Sequence, residues 1–464
     1  MIQGTASTLS IGGRGVLSPS ALLCMAGILS GLIGAVITAP ESLDDRTSLQ
    51  IPAACLMVGF LAGPVVSSVR RTTAILHPTS LMLLGLCYWV LLDLVQAVYP
   101  LDDITASGAV GAFFALSLFA LGLCVAHFFK PLRLPLFVTN SASLVLNEKR
   151  LFKIGIVAFI LCFLRFAIPS NFDVFAMFSA LSGSRWSAPW SRGQLGGWDA
   201  FLDHLSYFGY FLPTLTVAFY RSAGRINYRF WILVLCSVIV ALFISQGGGR
   251  RTVGAMVLSA CFFWIITSEK PFKSLIRFSM TALPILLIFL QAMLFTRNTG
   301  YESVFSEFSV NESMKEGVRV DDNFIRLTQI VEIIPKEASH TGFSWVLWVL
   351  VRPVPRVFWP GKPMDPGFDL PQHIGREGAS LTSSIVGESY MAFGFLGCLI
   401  VGICYGMVGR SFKRMLDGNK TFSGLIIYTA GLLALFVGLR SGIELMLFSY
   451  VILAWIVASR YMRK

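Results

Sequence analysis

The sequence has little charge for its length. Only 13% of its 464 residues are Asp, Glu, Lys or Arg, whereas soluble domains carry roughly 25%. Hydrophobic residues make up 55% of the chain, the mean hydropathy is +0.71, and many apolar runs reach the roughly 20 residues that span a bilayer core. These runs are continuous rather than alternating, which excludes a membrane β-barrel. The composition therefore predicts an all-α polytopic membrane protein.

The sequence also lacks the residue patterns of metal, nucleotide and disulfide sites. All 9 cysteines lie inside apolar runs, so neither a disulfide framework nor a CxxC metal pair is expected. The HExxH, HxxxH and P-loop motifs are absent, and nothing supports a zinc or ATP-driven mechanism. We expect no metal and no cofactor. The net charge of +12 is explained by basic cytoplasmic loops rather than by nucleic-acid binding.

The apolar runs predict about 12 transmembrane helices. Basic residues concentrate in alternate connections, around Lys130, Lys270 and Lys413, whereas residues 41–45 and 102–103 are acidic. By the positive-inside rule this asymmetry places both termini in the cytoplasm, an N-in/C-in topology. The predicted spans are 17–39, 51–69, 79–98, 108–129, 152–169, 202–220, 229–246, 252–267, 275–296, 384–408, 421–439 and 441–459.

The spans divide the chain into three regions: helices one to nine in residues 1–296, a long outer segment in 297–383, and the last three helices in 384–464. In the outer segment, the spacing of apolar residues predicts a helix over 322–334 with one apolar face, ended by Pro335. Residues 341–351 are apolar but too short to span, which predicts an interfacial or re-entrant helix with Trp345 and Trp348 at headgroup level.

A stretch rich in proline, charge and aromatic residues follows, in residues 351–384. Its 6 prolines exclude a long helix or a central strand. The basic and aromatic residues in it that are candidates for ligand binding are Arg356, Trp359, Lys362 and Arg376. We expect this stretch to lie over the mouth of a site embedded in the membrane.

Five arginines lie near the outer face, where the positive-inside rule disfavours them. They are Arg165, Arg250, Arg251, Arg297 and Arg440. A shared anionic ligand explains them together, because arginine binds phosphate through two hydrogen bonds and does not deprotonate. The glycines at 247–249, Gly248 included, let the backbone approach such a ligand at the start of the next helix, whose dipole also favours an anion.

Acidic residues and histidines supply the candidate bases and ion-pair partners. An arginine is the expected partner of Glu388, one turn inside span ten, and Glu444 is expected to pair with Arg440 four residues away. Asp93 is a candidate partner of Arg165. We expect Asp321 and Asp322 to cap a helix. The candidate general bases for an outer site are Glu388, His373 and Asp369, with Asp365 and Glu377 as further possibilities.

Four tryptophans, Trp186, Trp190, Trp198 and Trp359, occur in the outer segments and could stack on sugar rings. Interfacial anchoring explains each of them equally simply. They therefore give a sugar ligand only weak support.

The order of the motifs resembles that of the Wzy-type oligosaccharide repeat-unit polymerases of O-antigen, capsule and exopolysaccharide synthesis. The resemblance covers roughly residues 230–442, and its most specific motif is the Trp-Pro-Gly-Lys-Pro at 359–363. The residues that carry it are Gly248, Arg250, Arg297, Pro355, Arg356, Trp359, Pro360, Gly361, Lys362, Pro363, Leu381, Thr382, Gly387, Glu388, Tyr390, Gly394 and Arg440.

The resemblance implies a GT-C-like, metal-independent glycosyltransferase of the bacterial inner membrane. It would use undecaprenyl-diphosphate-linked oligosaccharides at the periplasmic face, and a chain-length regulator is a candidate partner. The growing chain would pass to the non-reducing end of a new unit. The alternatives are an O-antigen ligase-like transferase and a flippase of lipid-linked sugars. The flippase is disfavoured because the few charges at membrane depth cluster outwards and no internal repeat is evident.

Overall fold

The computed structural model describes residues 18–70, 72–101, 104–191, 199–299, 317–318, 320–352, 354, 358–363, 365–376 and 381–461, with the side chains of 70, 199–200 and 294–299 left out. All of the regular structure in these ranges is helical. Seven of the helices are long and apolar enough to cross a membrane. The chain is therefore a helical membrane protein.

Besides a short 3-10 helix at Thr72–Leu76, the first half of the chain forms nine helices within the described ranges. They are α1 (Ala21–Ile37), α2 (Gln50–Arg70), α3 (Pro78–Val95), α4 (Ala106–Phe128), α5 (Leu136–Ala142), α6 (Glu148–Ala167), α7 (Val174–Ser179), α8 (Asp199–Tyr210) and α9 (Leu212–Ala223). A π-helical turn at Cys87–Leu91 interrupts α3. The predicted span 202–220 is not one helix: it is divided between α8 and α9, with Pro213 in the first turn of α9, where proline is tolerated.

The second half of the described chain continues with nine more helices. They are α10 (Tyr228–Gln246), α11 (Arg250–Ile266), α12 (Pro271–Arg277, continuing through a π turn into Leu283–Thr299), α13 (Asn323–Ile333), α14 (Phe343–Val351), α15 (Leu370–His373), α16 (Ser384–Gly418), α17 (Phe422–Gly438) and α18 (Gly442–Tyr461). Every predicted span coincides with a helix or a pair of helices. The count of 12 crossings and the N-in/C-in orientation stay predictions.

Glycines bring pairs of helices into close contact. A Cβ added to Gly402 on α16 would lie 2.3 Å from the carbonyl oxygen of Phe119 on α4, and one added to Gly122 would lie 2.4 Å from Leu399 O. Gly27 on α1 and Gly59 on α2 face each other in the same way. Small residues of this kind let membrane helices pack backbone to backbone.

The helix α13 lies inside the bundle, against α4 and α16. Its position near 322–334 was predicted, but burial extends well beyond the predicted apolar face. The polar side chains Asn323, Thr328 and Gln329 are as buried as Phe324 and Leu327. The outer segment thus contributes a helix to the core rather than only a surface layer.

The helix α16 contains a sharp break. Phe393 and Gly394 have non-helical dihedrals, and Gly394 has φ +64°, a conformation that favours glycine. The chain folds back here, because a Cβ on Gly397 would lie 2.3 Å from Ser389 O and Cys398 Sγ lies 3.6 Å from Val386 O. The predicted span 384–408 therefore begins with a separate short helix, 384–392, and the long helix occupies 395–418.

Candidate functional site

The triple glycine ends α10 and starts α11, as the sequence predicts. Gly248 has φ +73°, and Arg250 N donates to Gly248 O over 2.8 Å. The turn places Arg250 and Arg251 in the first turn of α11. Cations at a helix N-terminus oppose the helix dipole, so this placement requires a compensating negative partner.

Glu444 on α18 is that partner for Arg251. The Glu444 carboxylate forms an ion pair with Arg251 Nη1 and accepts from Arg440 Nη1 over 3.4 Å. The predicted Arg440–Glu444 pair is confirmed. Two guanidinium groups share one carboxylate, and Arg250 adds a third positive charge beside them.

Asp321 completes this group from a distant part of the chain. Its carboxylate pairs with Arg440 Nε, and its backbone N–H donates to Asp93 Oδ2 over 3.0 Å. Asp93 Oδ1 accepts from Val320 N, also over 3.0 Å. Asp93 therefore holds the backbone of residues 320–321, and Asp321 holds Arg440. We call Arg250, Arg251, Arg440, Asp321 and Glu444 the arginine cluster.

Arg165 lies in a different group, and the predicted Asp93–Arg165 pair is wrong. Arg165 Nε donates to Asp203 over 2.7 Å and Nη2 donates to Trp190 O over 3.1 Å. Asp203 reaches Arg165 because α8 packs against α6. Arg165 is only 6% exposed, and its Nη1 has no hydrogen-bond partner in the described part of the chain.

Trp190 anchors the preceding segment to the end of α10. Its Nε1–H donates to Gln246 Oε1 over 3.0 Å, and Gln246 Nε2 donates to Ser184 O over 3.1 Å. This contact lies directly before the triple glycine. Trp190 is thus buried as a structural contact, whereas Trp186 is exposed and stacks with Arg185 at 4.2 Å.

Glu388 accepts hydrogen bonds from Trp345, Gly442 and the Ser441 hydroxyl, and from no arginine among the described side chains. Trp345 Nε1 and Gly442 N each donate to Glu388 Oε2 over 2.9 Å. Among the described side chains no arginine forms the expected ion pair with Glu388; Arg440 acts on it only through its charge, and neutral donors make the hydrogen bonds. Trp345 is buried against Glu388, not exposed like a headgroup anchor. Because Gly442 lies two residues after Arg440, Glu388 fixes the turn that carries Arg440.

Lys362 holds the proline-rich stretch together through two hydrogen bonds. Lys362 Nζ donates to Arg352 O over 2.9 Å and to Val354 O over 2.7 Å, and Lys362 is only 7% exposed. These contacts fold the segment onto its own backbone. Trp359, three residues earlier, is 40% exposed.

The histidine and aspartate of this stretch are exposed. His373 stacks on Phe368 with ring centroids 4.6 Å apart, and its Nδ1 lies 2.9 Å from Asp369 O. The carboxylate of Asp369 and the guanidinium of Arg376 lie on the same exposed segment. Such groups are accessible to a substrate, whereas Glu388 is not.

Several predicted site residues fall outside these observations. Arg356, Trp198 and Glu377 lie outside the described residues, and Arg297 belongs to α12 by its backbone, with its side chain not described. Within the described ranges, no group of three His, Cys, Asp or Glu residues has the arrangement of a metal site.

The sequence did not indicate Asp203 or Trp345 as site residues, nor Asp321 as an arginine partner. Asp321 and Arg440 are 119 residues apart, and no local spacing connects them. Asp203 lies inside a predicted span, and an acidic residue at such a position is a signal for a buried ion pair. Comparison with family models, with curated proteins and with solved structures finds no match to this chain.

Proposed function

We propose that the protein is a glycosyltransferase that polymerises oligosaccharide units carried on undecaprenyl diphosphate at the periplasmic face of the bacterial inner membrane. The observation that carries the proposal is the gathering of Arg250, Arg251 and Arg440 at the ends of α11 and α18. Two of these guanidinium groups contact the carboxylates of Asp321 and Glu444, the third lies beside them, and together they suit a ligand with more than one phosphate oxygen.

Glycosyl transfer from this donor requires positive charge near the diphosphate leaving group. The bond between the anomeric carbon and the diphosphate oxygen of the donor breaks, and its electron pair goes to the diphosphate. Guanidinium groups that are already oriented stabilise this developing charge without reorganisation. Asp321 and Glu444 supply that orientation, because each holds an arginine in a fixed direction.

The reaction also needs a base for the acceptor hydroxyl. The hydroxyl oxygen forms the new bond to the anomeric carbon, and its proton passes to the base. His373 and Asp369 are the better candidates, because both are exposed on the proline-rich stretch. Glu388 is 6% exposed and already accepts two N–H groups through one oxygen, which suits a positioning role for the Arg440 turn.

A complementation experiment tests the proposal. The gene is deleted in its host and the strain is complemented with wild-type protein, Arg250→Gln or Arg440→Gln. We expect wild type to restore a ladder of polysaccharide lengths and both variants to leave a single repeat unit. Arg277→Gln, at an exposed residue of α12, serves as the control and should restore the ladder.

The same experiment separates the alternatives. If the protein were a ligase, the inactive variants would leave a full ladder on the lipid carrier, and that polymer would not be transferred to the final acceptor. If the protein were a flippase, the inactive variants would leave unpolymerised units at the cytoplasmic face. Either result, or a normal ladder in both arginine variants at wild-type protein level, contradicts the polymerase.

A further inference from the structure

A group of large apolar side chains is exposed in the connection that follows α4. Their exposed fractions lie between 42% and 79%, and they are Phe128, Phe129, Leu132, Leu136 and Phe137. The 23 residues of α4 have a length of about 34 Å, enough to cross a hydrocarbon core of about 30 Å. Residues 128–137, which we call the apolar connection, therefore lie near the level of the lipid headgroups.

The apolar connection continues one exposed side of α4. Between residues 112 and 128, the side chains that are not buried are Phe114, Leu118, Leu121, Val125, His127 and Phe128. All of them except His127 follow the spacing of three and four residues that makes one face of a helix. In a membrane this apolar face is in contact with lipid, and a bilayer that covers it also reaches Phe128 and the residues that follow.

Hydrogen bonds to the bundle hold the apolar connection at both ends. The guanidinium group of Arg410 on α16 donates to Ala126 O. Arg460 on α18 donates through Nη2 to Phe137 O over 3.1 Å and through Nε to Ser141 Oγ over 3.1 Å. The fold therefore presents these apolar side chains outward in a fixed arrangement.

Two cations lie among these apolar side chains. Lys130 and Arg133 are exposed, and neither forms an ion pair or a side-chain hydrogen bond with a residue that the structure describes. Lys413, at the same end of the bundle, is instead paired with Asp417. Lys130 and Arg133 are therefore available to an anionic ligand at headgroup level.

The apolar connection is far from the arginine cluster. Arg460, which holds its end, lies in the last turn of α18, and Glu444 lies in the first turn. Their separation in sequence corresponds to about 24 Å along the helix. In the predicted orientation this end of the bundle is cytoplasmic, so a ligand of the connection is separate from the ligand of the outer site.

We infer that the apolar connection binds anionic phospholipid in the leaflet at this end of the bundle. Its apolar side chains enter the boundary between the acyl chains and the headgroups, as those of other membrane-surface segments do. Lys130 and Arg133 bind the lipid phosphate and favour an anionic headgroup. The bound lipid anchors the ends of α4, α16 and α18, because Arg410 and Arg460 join these helices to the connection.

Photo-crosslinking from within the apolar connection tests the inference on the full chain. The photoreactive amino acid p-benzoylphenylalanine replaces Leu136, and the purified protein is placed in nanodiscs with equal amounts of phosphatidylglycerol and phosphatidylcholine. We expect lipid adducts at position 136, with phosphatidylglycerol favoured at least about threefold. The same replacement at Ile33, an exposed apolar residue of α1, should give adducts without a preference. No lipid adduct at position 136, or equal adducts of the two lipids there, overturns the inference.

Charge variants separate a lipid site from a general effect of positive charge. Lys130→Gln with Arg133→Gln should abolish the preference for phosphatidylglycerol, because the phosphate loses both cations. Arg414→Gln with Lys420→Gln removes the same charge from exposed residues at the same end of the bundle and should keep the preference. An equal loss in both double variants, or no loss in the first, contradicts the inference. All four residues are exposed, and an unchanged melting temperature confirms that each variant is folded.

Crosslinking in living cells distinguishes lipid from a protein partner. The same photoreactive residue at position 136 is activated in cells, and the products are separated by gel electrophoresis and analysed by mass spectrometry. We expect adducts of anionic phospholipid and no crosslinked protein band. A protein adduct in place of the lipid adduct assigns the apolar connection to a protein partner and overturns the inference.

Discussion

The indole of Trp345 donates a hydrogen bond to Glu388 Oε2 over 2.9 Å, and both side chains are buried. This contact joins α14, from the outer segment, to the short helix that precedes the break in α16. The same oxygen accepts from Gly442 N. One carboxylate therefore ties the outer segment to the turn between α17 and α18.

Removing the indole donor should weaken the fold and the site together. Trp345→Phe keeps most of the apolar contact but loses a hydrogen bond to a carboxylate, which contributes about 1.5–3 kcal/mol. We expect a lower melting temperature in detergent and a shorter polysaccharide ladder. Trp348→Phe, on the same helix, is the matched control. Identical melting of Trp345→Phe and wild type would show that the contact contributes nothing.

The glycine turn before α11 should tolerate a side chain at one position and not at its neighbour. Gly248 has φ +73°, and a left-handed conformation costs a residue with a Cβ about 1–2 kcal/mol. Gly247 has φ −68°, and a Cβ there meets only Ile244 O at 3.6 Å. We predict that Gly248→Ala shortens the polysaccharide ladder by displacing Arg250, while Gly247→Ala leaves it unchanged. Equal ladders from the two variants contradict this.

The Asp321–Arg440 pair should show coupling in a double-mutant cycle. The two side chains are 30% and 15% exposed, so solvent screens the pair only in part. We expect Asp321→Asn and Arg440→Gln to be non-additive in thermal unfolding, with a coupling energy between about 0.5 and 3 kcal/mol. Lys413→Gln with Asp417→Asn, a pair on α16 whose aspartate is 53% exposed, should show the smaller coupling.

The close contact between α4 and α16 should be sensitive to a single methyl group. A Cβ on Gly402 would lie 2.3 Å from Phe119 O, whereas a Cβ on Gly418 meets nothing within 4 Å. Gly402→Ala should destabilise the protein by about 1–3 kcal/mol through overpacking. Gly418→Ala on the same helix should leave stability within about 0.5 kcal/mol. Thermal unfolding of the purified variants measures both, and the order of the two melting temperatures decides the prediction.

Cysteine labelling tests the predicted orientation. His373 and Lys273 are both exposed and are predicted to lie on opposite sides of the membrane. A membrane-impermeant maleimide should label His373→Cys in intact cells and Lys273→Cys only after permeabilisation. The reverse pattern would place the arginine cluster at the cytoplasmic side and exclude a periplasmic reaction.

The helices were largely predictable because their signals are local. Apolar runs located every long helix, and the triple glycine gave the start of α11 within two residues of Arg250. The Arg440–Glu444 pair followed from a spacing of four residues. Each of these features depends on neighbouring positions only, which a single sequence contains.

The contacts of the candidate site were not predictable in the same way. Trp345 and Glu388 are separated by 43 residues, and Asp93 and Asp321 by 228. Which carboxylate meets which arginine depends on how the helices pack, and several pairings satisfy charge equally well. The reversal at Gly394 was also missed, because a hydropathy profile counts apolar residues and does not detect a change of direction.

The break at Gly394 changes the length of chain that has to fit within the bilayer. A straight helix of the 35 residues in Ser384–Gly418 would be roughly 52 Å long, far beyond a hydrocarbon thickness of about 30 Å. Folding back leaves 395–418, roughly 36 Å, which a modest tilt accommodates. The same turn directs the short helix back into the protein, where Glu388 meets Trp345 and Gly442.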